Sequence, residues 1–109
     1  MTEEIVLFAV LLGSALTFTL IGVYARQRRE PMWFWAGTTV DASEITDVPA
    51  YNRENGAMWL RYSLWFWLAA LAGPVSPGAA LTFLVLGCTV GIVLLVRTFR
   101  RIDRKYRRR

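Results

Sequence analysis

The stretch Ile5-Val6-Leu7-Phe8-Ala9-Val10-Leu11-Leu12-Gly13-Ser14-Ala15-Leu16-Thr17-Phe18-Thr19-Leu20-Ile21-Gly22-Val23-Tyr24 decides the fold. It carries no charged side chain. At 1.5 Å rise per residue, about twenty residues of helix reach about 30 Å, the thickness of a bilayer's hydrocarbon core. A soluble helix of that length needs a polar face, and none is present. A secretory signal peptide is the rival reading, but Glu3 and Glu4 stand where it requires Lys or Arg, and no small-x-small cleavage site follows. The run therefore reads as a retained transmembrane helix.

Working outward, the chain alternates apolar blocks with charged ones. Of its 109 residues, 55% are hydrophobic. Ala57 to Ala72 forms a second, shorter apolar run of about 24 Å, which must stand upright or thin the bilayer. Gly73-Pro74-Val75-Ser76-Pro77-Gly78 reads as a turn, with Ser76 as cap and Pro77 at the first helical position. A third run extends to Val96. The expected fold is thus all-α, one membrane domain over residues 1–109. Its transmembrane helices cover about 5–24, 57–72 and 77–96, with a cytoplasmic cap over 25–56 and a basic tail over 97–109.

Charge placement orients these spans. Residues 25–56 carry Arg26, Arg28, Arg29 and Arg53, and the tail carries Arg97, Arg100, Arg101, Arg104, Lys105, Arg107, Arg108 and Arg109, while the N-terminus and the 73–78 turn carry no Lys or Arg. Because short cytoplasmic loops accumulate Lys and Arg, the N-terminus is expected outside and the C-terminus inside, in a bacterial inner membrane. The net charge of +5 is explained by topology first, which argues against nucleic-acid binding. Phe99, Ile102 and Tyr106 share a helix face among the tail's basic residues. Arg97, Arg100, Arg101, Arg104, Lys105 and Arg107 accordingly read as an anchor on anionic lipid headgroups.

Chemistry-bearing residues are few. Cys88 is the one cysteine and histidine is absent, so a disulfide, a thiolate metal cage and a His-assisted nucleophile are all excluded. No cofactor or metal is implied. The polar segment instead reads as a contact cap built from Trp33, Trp35, Asp47, Tyr51, Asn52, Asn55, Trp59 and Arg61. Trp33 and Trp35 suit headgroup depth. Asp41 can cap a short surface helix over Ala42 to Asp47, with Glu44 completing a capping box. Asp47 or Val48 opens the next helix, where Pro49 is tolerated. Tyr51, Asn55, Met58 and Tyr62 recur along one helical stripe, which reads as a headgroup or peptide contact; the alternative is that Asn52, Asn55 and Tyr51 tie the 31–48 loop to the helix by hydrogen bonds. Arg61 lies one turn inside an apolar run, where it snorkels, pairs with Asp47 or Glu54, or lines a substrate path. Gly87 and Gly91 have the spacing that lets another helix approach closely, within the chain or in a second copy.

At Trp33-Phe34-Trp35-Ala36-Gly37, Ile45-Thr46-Asp47-Val48, Tyr51-Asn52-Arg53-Glu54-Asn55 and Met58-Trp59, the chain resembles small bacterial three-helix membrane proteins. More distantly it is similar to the short form of the immunity-protein family that protects cells from the sporulation-delaying toxin. That family's usual Gly-x-Arg-Thr stands here without its arginine, as Gly37-Thr38-Thr39-Val40. The resemblance implies a cytoplasmic segment followed by a polar helix leading into a transmembrane hairpin. The expected function is non-enzymatic contact with a membrane partner or a second copy. The alternative is an immunity or small transport component that binds a peptide or amphiphile between its helices.

Overall fold

Glu3 and Glu4 in the first turn and Arg26 in the last complement the dipole of the first helix, α1, which spans Thr2–Gln27. The structure is a computed structural model that describes residues 2–32 and 41–107. A single 3₁₀ turn, Ala42–Glu44, precedes the second helix, and Asp41 caps it by accepting from the Ser43 N–H at 3.2 Å. The longer surface helix expected over Ala42 to Asp47 does not form. Ile45 turns extended to meet Arg107, and Asp47 is committed to the next helix. Glu44 reaches Arg107 and closes no capping box.

Helix α2 spans Val48–Ala72. The Asp47 carboxylate accepts from the Ala50 N–H at 3.1 Å, and Pro49 sits in the first turn, where its missing donor is not needed. Asp47 is thereby used as a cap, and among the described residues it forms no ion pair with Arg53 or Arg61. Asp47→Ala should cost about 1 kcal/mol, read as a lower thermal midpoint in detergent. An unchanged midpoint would mean that the start of α2 is held by other contacts.

Helix α3 runs Pro77–Tyr106 as one 30-residue rod. Ser76 caps it by accepting from Ala79 N–H at 3.2 Å, and Gly87–Gly91 takes the wider π winding. At about 45 Å, α3 exceeds a hydrocarbon core by about 15 Å. Its arginine-bearing end therefore protrudes from any bilayer that its apolar part crosses.

Helices α1 and α3 are long and apolar enough to cross a membrane. α2 is long enough but less apolar, and its burial explains why. Tyr51, Asn52, Asn55, Tyr62 and Ser63 are turned into the bundle, whereas Leu64, Leu68 and Leu71 form an exposed stripe. α1 shows the opposite pattern, burying Leu11, Ala15, Gly22 and Ala25 and exposing Ile5, Val6, Phe8, Val10, Leu16 and Leu20. α2 is thus the central helix, with α1 against one side and α3 against the other.

Three contacts set this arrangement. At the basic end α1 and α2 cross at Gly22 and Gly56, so closely that a Cβ on Gly56 would lie 2.6 Å from the Gly22 carbonyl oxygen. In the middle, the Phe18 ring sits among Trp59, Tyr62 and Phe66, with centroids at 5.8, 5.0 and 4.9 Å. The Trp67 indole N–H also donates to Thr19 Oγ1 at 2.9 Å. Toward the far end Leu11, Ala69, Ala70 and Ala80 let all three helices converge.

Candidate functional site

The basic end of the bundle is built on Asn52. Its side-chain amide donates to the Arg28 and Glu30 carbonyls at 3.0 and 2.7 Å, and its Oδ1 accepts from the Met32 N–H at 2.7 Å. One buried side chain thus satisfies three backbone groups of the segment leaving α1. Asn55 donates to the Tyr51 carbonyl at 2.9 Å and is equally buried. The stripe Tyr51, Asn55, Met58 and Tyr62 faces inward throughout. Tyr51, Asn52, Asn55 and Trp59 are therefore interior supports of the cap and offer no contact surface. Trp33 and Trp35 lie outside the described residues, as does the Gly37 to Val40 segment.

The end of α3 folds back onto this cap. Thr46 N–H donates to the Tyr106 carbonyl at 2.7 Å, and Ile45 pairs with Arg107 in an antiparallel bridge. Arg107 is bound by Glu44 and, at 2.8 Å, by Asp103, while Lys105 lies 3.5 Å from Glu54. Its charge and place in the tail predict a lipid-facing cation, but Arg107 is a clamp between the cap and α3, because the acids of the 3₁₀ turn and of α3 reach it first. Lys105 is likewise shared with Glu54. Arg97, Arg100, Arg101 and Arg104 remain exposed.

Tyr51 closes the interior of the cap, its ring edge-on to Tyr106 at 6.3 Å. Its buried hydroxyl stands beside Asn55 and Asp103 without reaching hydrogen-bond geometry to any described residue. Burial, reinforced by the Asp103 carboxylate, pushes this phenol from the ordinary 10.0 up to about 12. The neutral phenol is the form the fold prefers. Its contribution to stability is fully present below the unfolded pKa and is lost as the pH rises from there through the folded value. Subtracting the phenolate titration of Tyr51→Phe from that of the intact chain should leave a component near pH 12. A component at the ordinary value would mean that the cap is open to water.

Between α2 and α3, the face of Gly87 and Gly91 packs under Trp65. A Cβ on Gly91 would lie 3.0 Å from the indole nitrogen, and one on Gly87 3.0 Å from Trp65 Cβ. Tyr62 donates its hydroxyl to the Gly87 carbonyl at 3.1 Å, satisfying an acceptor where the π winding departs from the regular helical ladder. Beside this contact opens a groove of about 220 Å³, lined by Met58, Arg61, Trp65, Leu94, Leu95 and Thr98 among others. It meets a second recess of about 280 Å³, where Arg61 and Thr98 are joined by Glu54, Arg101 and Lys105. Arg61 is exposed, its Nε 3.4 Å from the Ala57 carbonyl, and it forms no ion pair among the described residues. The structure thus brings Arg61 together with Arg101 and Lys105 and separates it from Asp47.

Sequence reasoning missed this docking of α3 on the cap and the Gly22–Gly56 crossing. A signal for the second existed, because a glycine inside a helix costs about 1 kcal/mol against alanine and calls for a packing reason. Among the described residues no cluster of acidic and Cys side chains could hold a metal ion. In comparisons with known proteins, no family model, no curated protein and no solved structure matches this chain.

Proposed function

We propose that the chain is a three-span protein of the bacterial inner membrane, N-terminus outside and C-terminus in the cytoplasm. In this reading it is not an enzyme and acts by contact with a membrane partner or a second copy of itself. The observation that carries the proposal is the division of its surface. The middle of the bundle is filled by Phe18, Trp59, Tyr62 and Phe66, leaving no mid-depth polar chamber among the described residues, while the outer faces of α1 and α3 are apolar and the protruding end of α3 is cationic. Such faces in water would be an aggregation hazard, and in a bilayer they are solvated. The central placement of α2 supports a third span, because Tyr62, Ser63 and Trp67 in its apolar run are hydrogen-bonded within the bundle and its outward stripe is Leu64, Leu68 and Leu71. The segregation of Lys and Arg to one end supports the orientation.

Photoreactive side chains at exposed Leu20 and Val93, and at Arg104, should give discrete protein adducts in native membranes, with buried Ala15 as the silent control. Adducts to lipid alone at all three exposed sites would contradict contact-based action. The second reading, binding of an amphiphile between helices in the manner suggested by the resemblance to immunity proteins, is favoured by the groove between α2 and α3.

A further inference from the structure

The groove between α2 and α3 changes character along its length. Its deeper part is apolar, floored by Met58, Trp65, Leu94 and Leu95, and the recess at its mouth holds Arg61, Arg101 and Lys105 with Glu54. Glu54 is already shared with Lys105 at 3.5 Å. Arg61 and Arg101 are left without a carboxylate among the described residues. Thr98, common to both parts, makes no hydrogen bond to its own helix among the described residues, whereas Thr17, Thr82 and Thr89 each donate to the carbonyl four residues earlier. Two unpaired guanidinium groups and a free hydroxyl therefore stand where α3 passes from apolar Val96 to basic Arg97. An apolar channel opens directly beneath them.

We propose that this groove holds one anionic phospholipid, its phosphate on Arg61 and Arg101 and an acyl chain along Met58, Trp65 and Leu94. The proposal rests on the membrane reading given above. The chemistry selects the occupant. A guanidinium pair is opposite in sign to a phosphodiester and offers donors to both of its unesterified oxygens, and the apolar floor demands a hydrocarbon chain joined to it. A zwitterionic headgroup fits less well, because its cation needs an acid and the recess's one acid is engaged. Arg61 snorkels to the level at which lipid phosphates lie, and its position inside the apolar run thereby acquires a ligand.

The test uses the full chain in dodecyl maltoside at about 0.15 M salt, where charges more than about 8 Å apart are screened. Phosphatidylglycerol and phosphatidylcholine of matched chains are titrated, and bound lipid is counted by native mass spectrometry. One phosphatidylglycerol should be retained, in preference to phosphatidylcholine. Arg61→Gln with Arg101→Gln should weaken it about twenty-five-fold, from about fivefold for each cation near a lipid surface. Arg29→Gln with Arg53→Gln removes the same charge from exposed positions at the same end that line neither part of the groove, and should change binding little. Leu94→Trp, which fills the channel and leaves the charges untouched, should also weaken binding. Equal losses in the two arginine pairs, equal retention of both lipids, or displacement by glycerol phosphate lacking chains would each overturn the proposal. Carbonate extraction separates the two ideas: an unaltered chain that stays in the membrane without selecting phosphatidylglycerol refutes the lipid site alone, and release of the unaltered chain refutes the membrane reading and the site together.

Discussion

Gly56→Leu should be the most damaging single substitution in the chain, separating α1 from α2. Even the first added carbon has no room, running into Arg26 Cγ and lying 2.6 Å from the Gly22 carbonyl oxygen. The arginine stem can swing aside, but the carbonyl belongs to α1's own hydrogen-bond ladder and moves only if the helix moves. Overpacking in a fixed core costs typically about 1–3 kcal/mol, and a branched side chain against backbone belongs at or above the top of that range. Gly56→Ala should already cost about 3 kcal/mol. Gly13 supplies the control, since a Cβ there meets nothing within 4 Å, and Gly13→Ala should gain up to about 1 kcal/mol from helix propensity. Thermal unfolding in mild detergent reads all three. Similar midpoints for Gly13→Ala and Gly56→Ala would show that the helices do not cross where the structure places them.

Asn52→Ala should release the segment that leaves α1. The substitution removes the partner that the Met32 N–H and the carbonyls of Arg28 and Glu30 meet at 2.7, 3.0 and 2.7 Å, while the Glu30 carbonyl keeps a second contact, from the Arg28 Nε at 3.1 Å. An unsatisfied buried group costs about 1–3 kcal/mol, and water reaching part of the segment recovers some of that, so a loss of roughly 3 kcal/mol is expected. Asn52→Asp separates hydrogen bonding from size. It keeps the acceptor for Met32 but turns both donated bonds into contacts between a carboxylate and carbonyl oxygens, so it should be no better than alanine. Amide exchange in micelles localises the effect. Met32 should exchange much faster in both variants, and unchanged protection at Met32 would remove Asn52 from its role.

The contrast between these two residues shows what sequence can and cannot carry. Ile5 to Tyr24 announces a helix by composition alone, and the Ser76-Pro77 and Asp47-Val48-Pro49 signals place the starts of α3 and α2 because capping is local chemistry. The Gly22–Gly56 crossing is not legible that way, since the two glycines lie far apart in the chain and each alone looks like a small residue in a helix. Tyr51, Asn52 and Asn55 are polar residues near an apolar run, a pattern that reads either as a contact surface or as a tie between loop and helix. Asn52 meets the backbone groups of the chain leaving α1, whereas Asn55 turns to the Tyr51 carbonyl of its own helix, and no single-segment pattern tells the two apart. Arg107 followed the same course. Its charge suggested lipid, but the acids at Glu44 and Asp103 answer it within the fold. The π winding at Gly87–Gly91 packs against Trp65 and Tyr62 of another helix, and only the spacing of its two glycines is visible beforehand.

The central claim, that α2 crosses the membrane and places the basic end in the cytoplasm, is tested most directly by the sidedness of two single thiols. In a Cys88→Ser background, Val75→Cys marks the turn between α2 and α3, where Val75 is 88% exposed, and Ser43→Cys marks the exposed turn before α2. A membrane-impermeant maleimide applied to spheroplasts should label Val75→Cys at once and Ser43→Cys only after the membrane is permeabilised. Equal protection of both thiols until permeabilisation would place the turn and the cap on one side, and α2 would not be a span; labelling of Ser43→Cys alone would reverse the orientation.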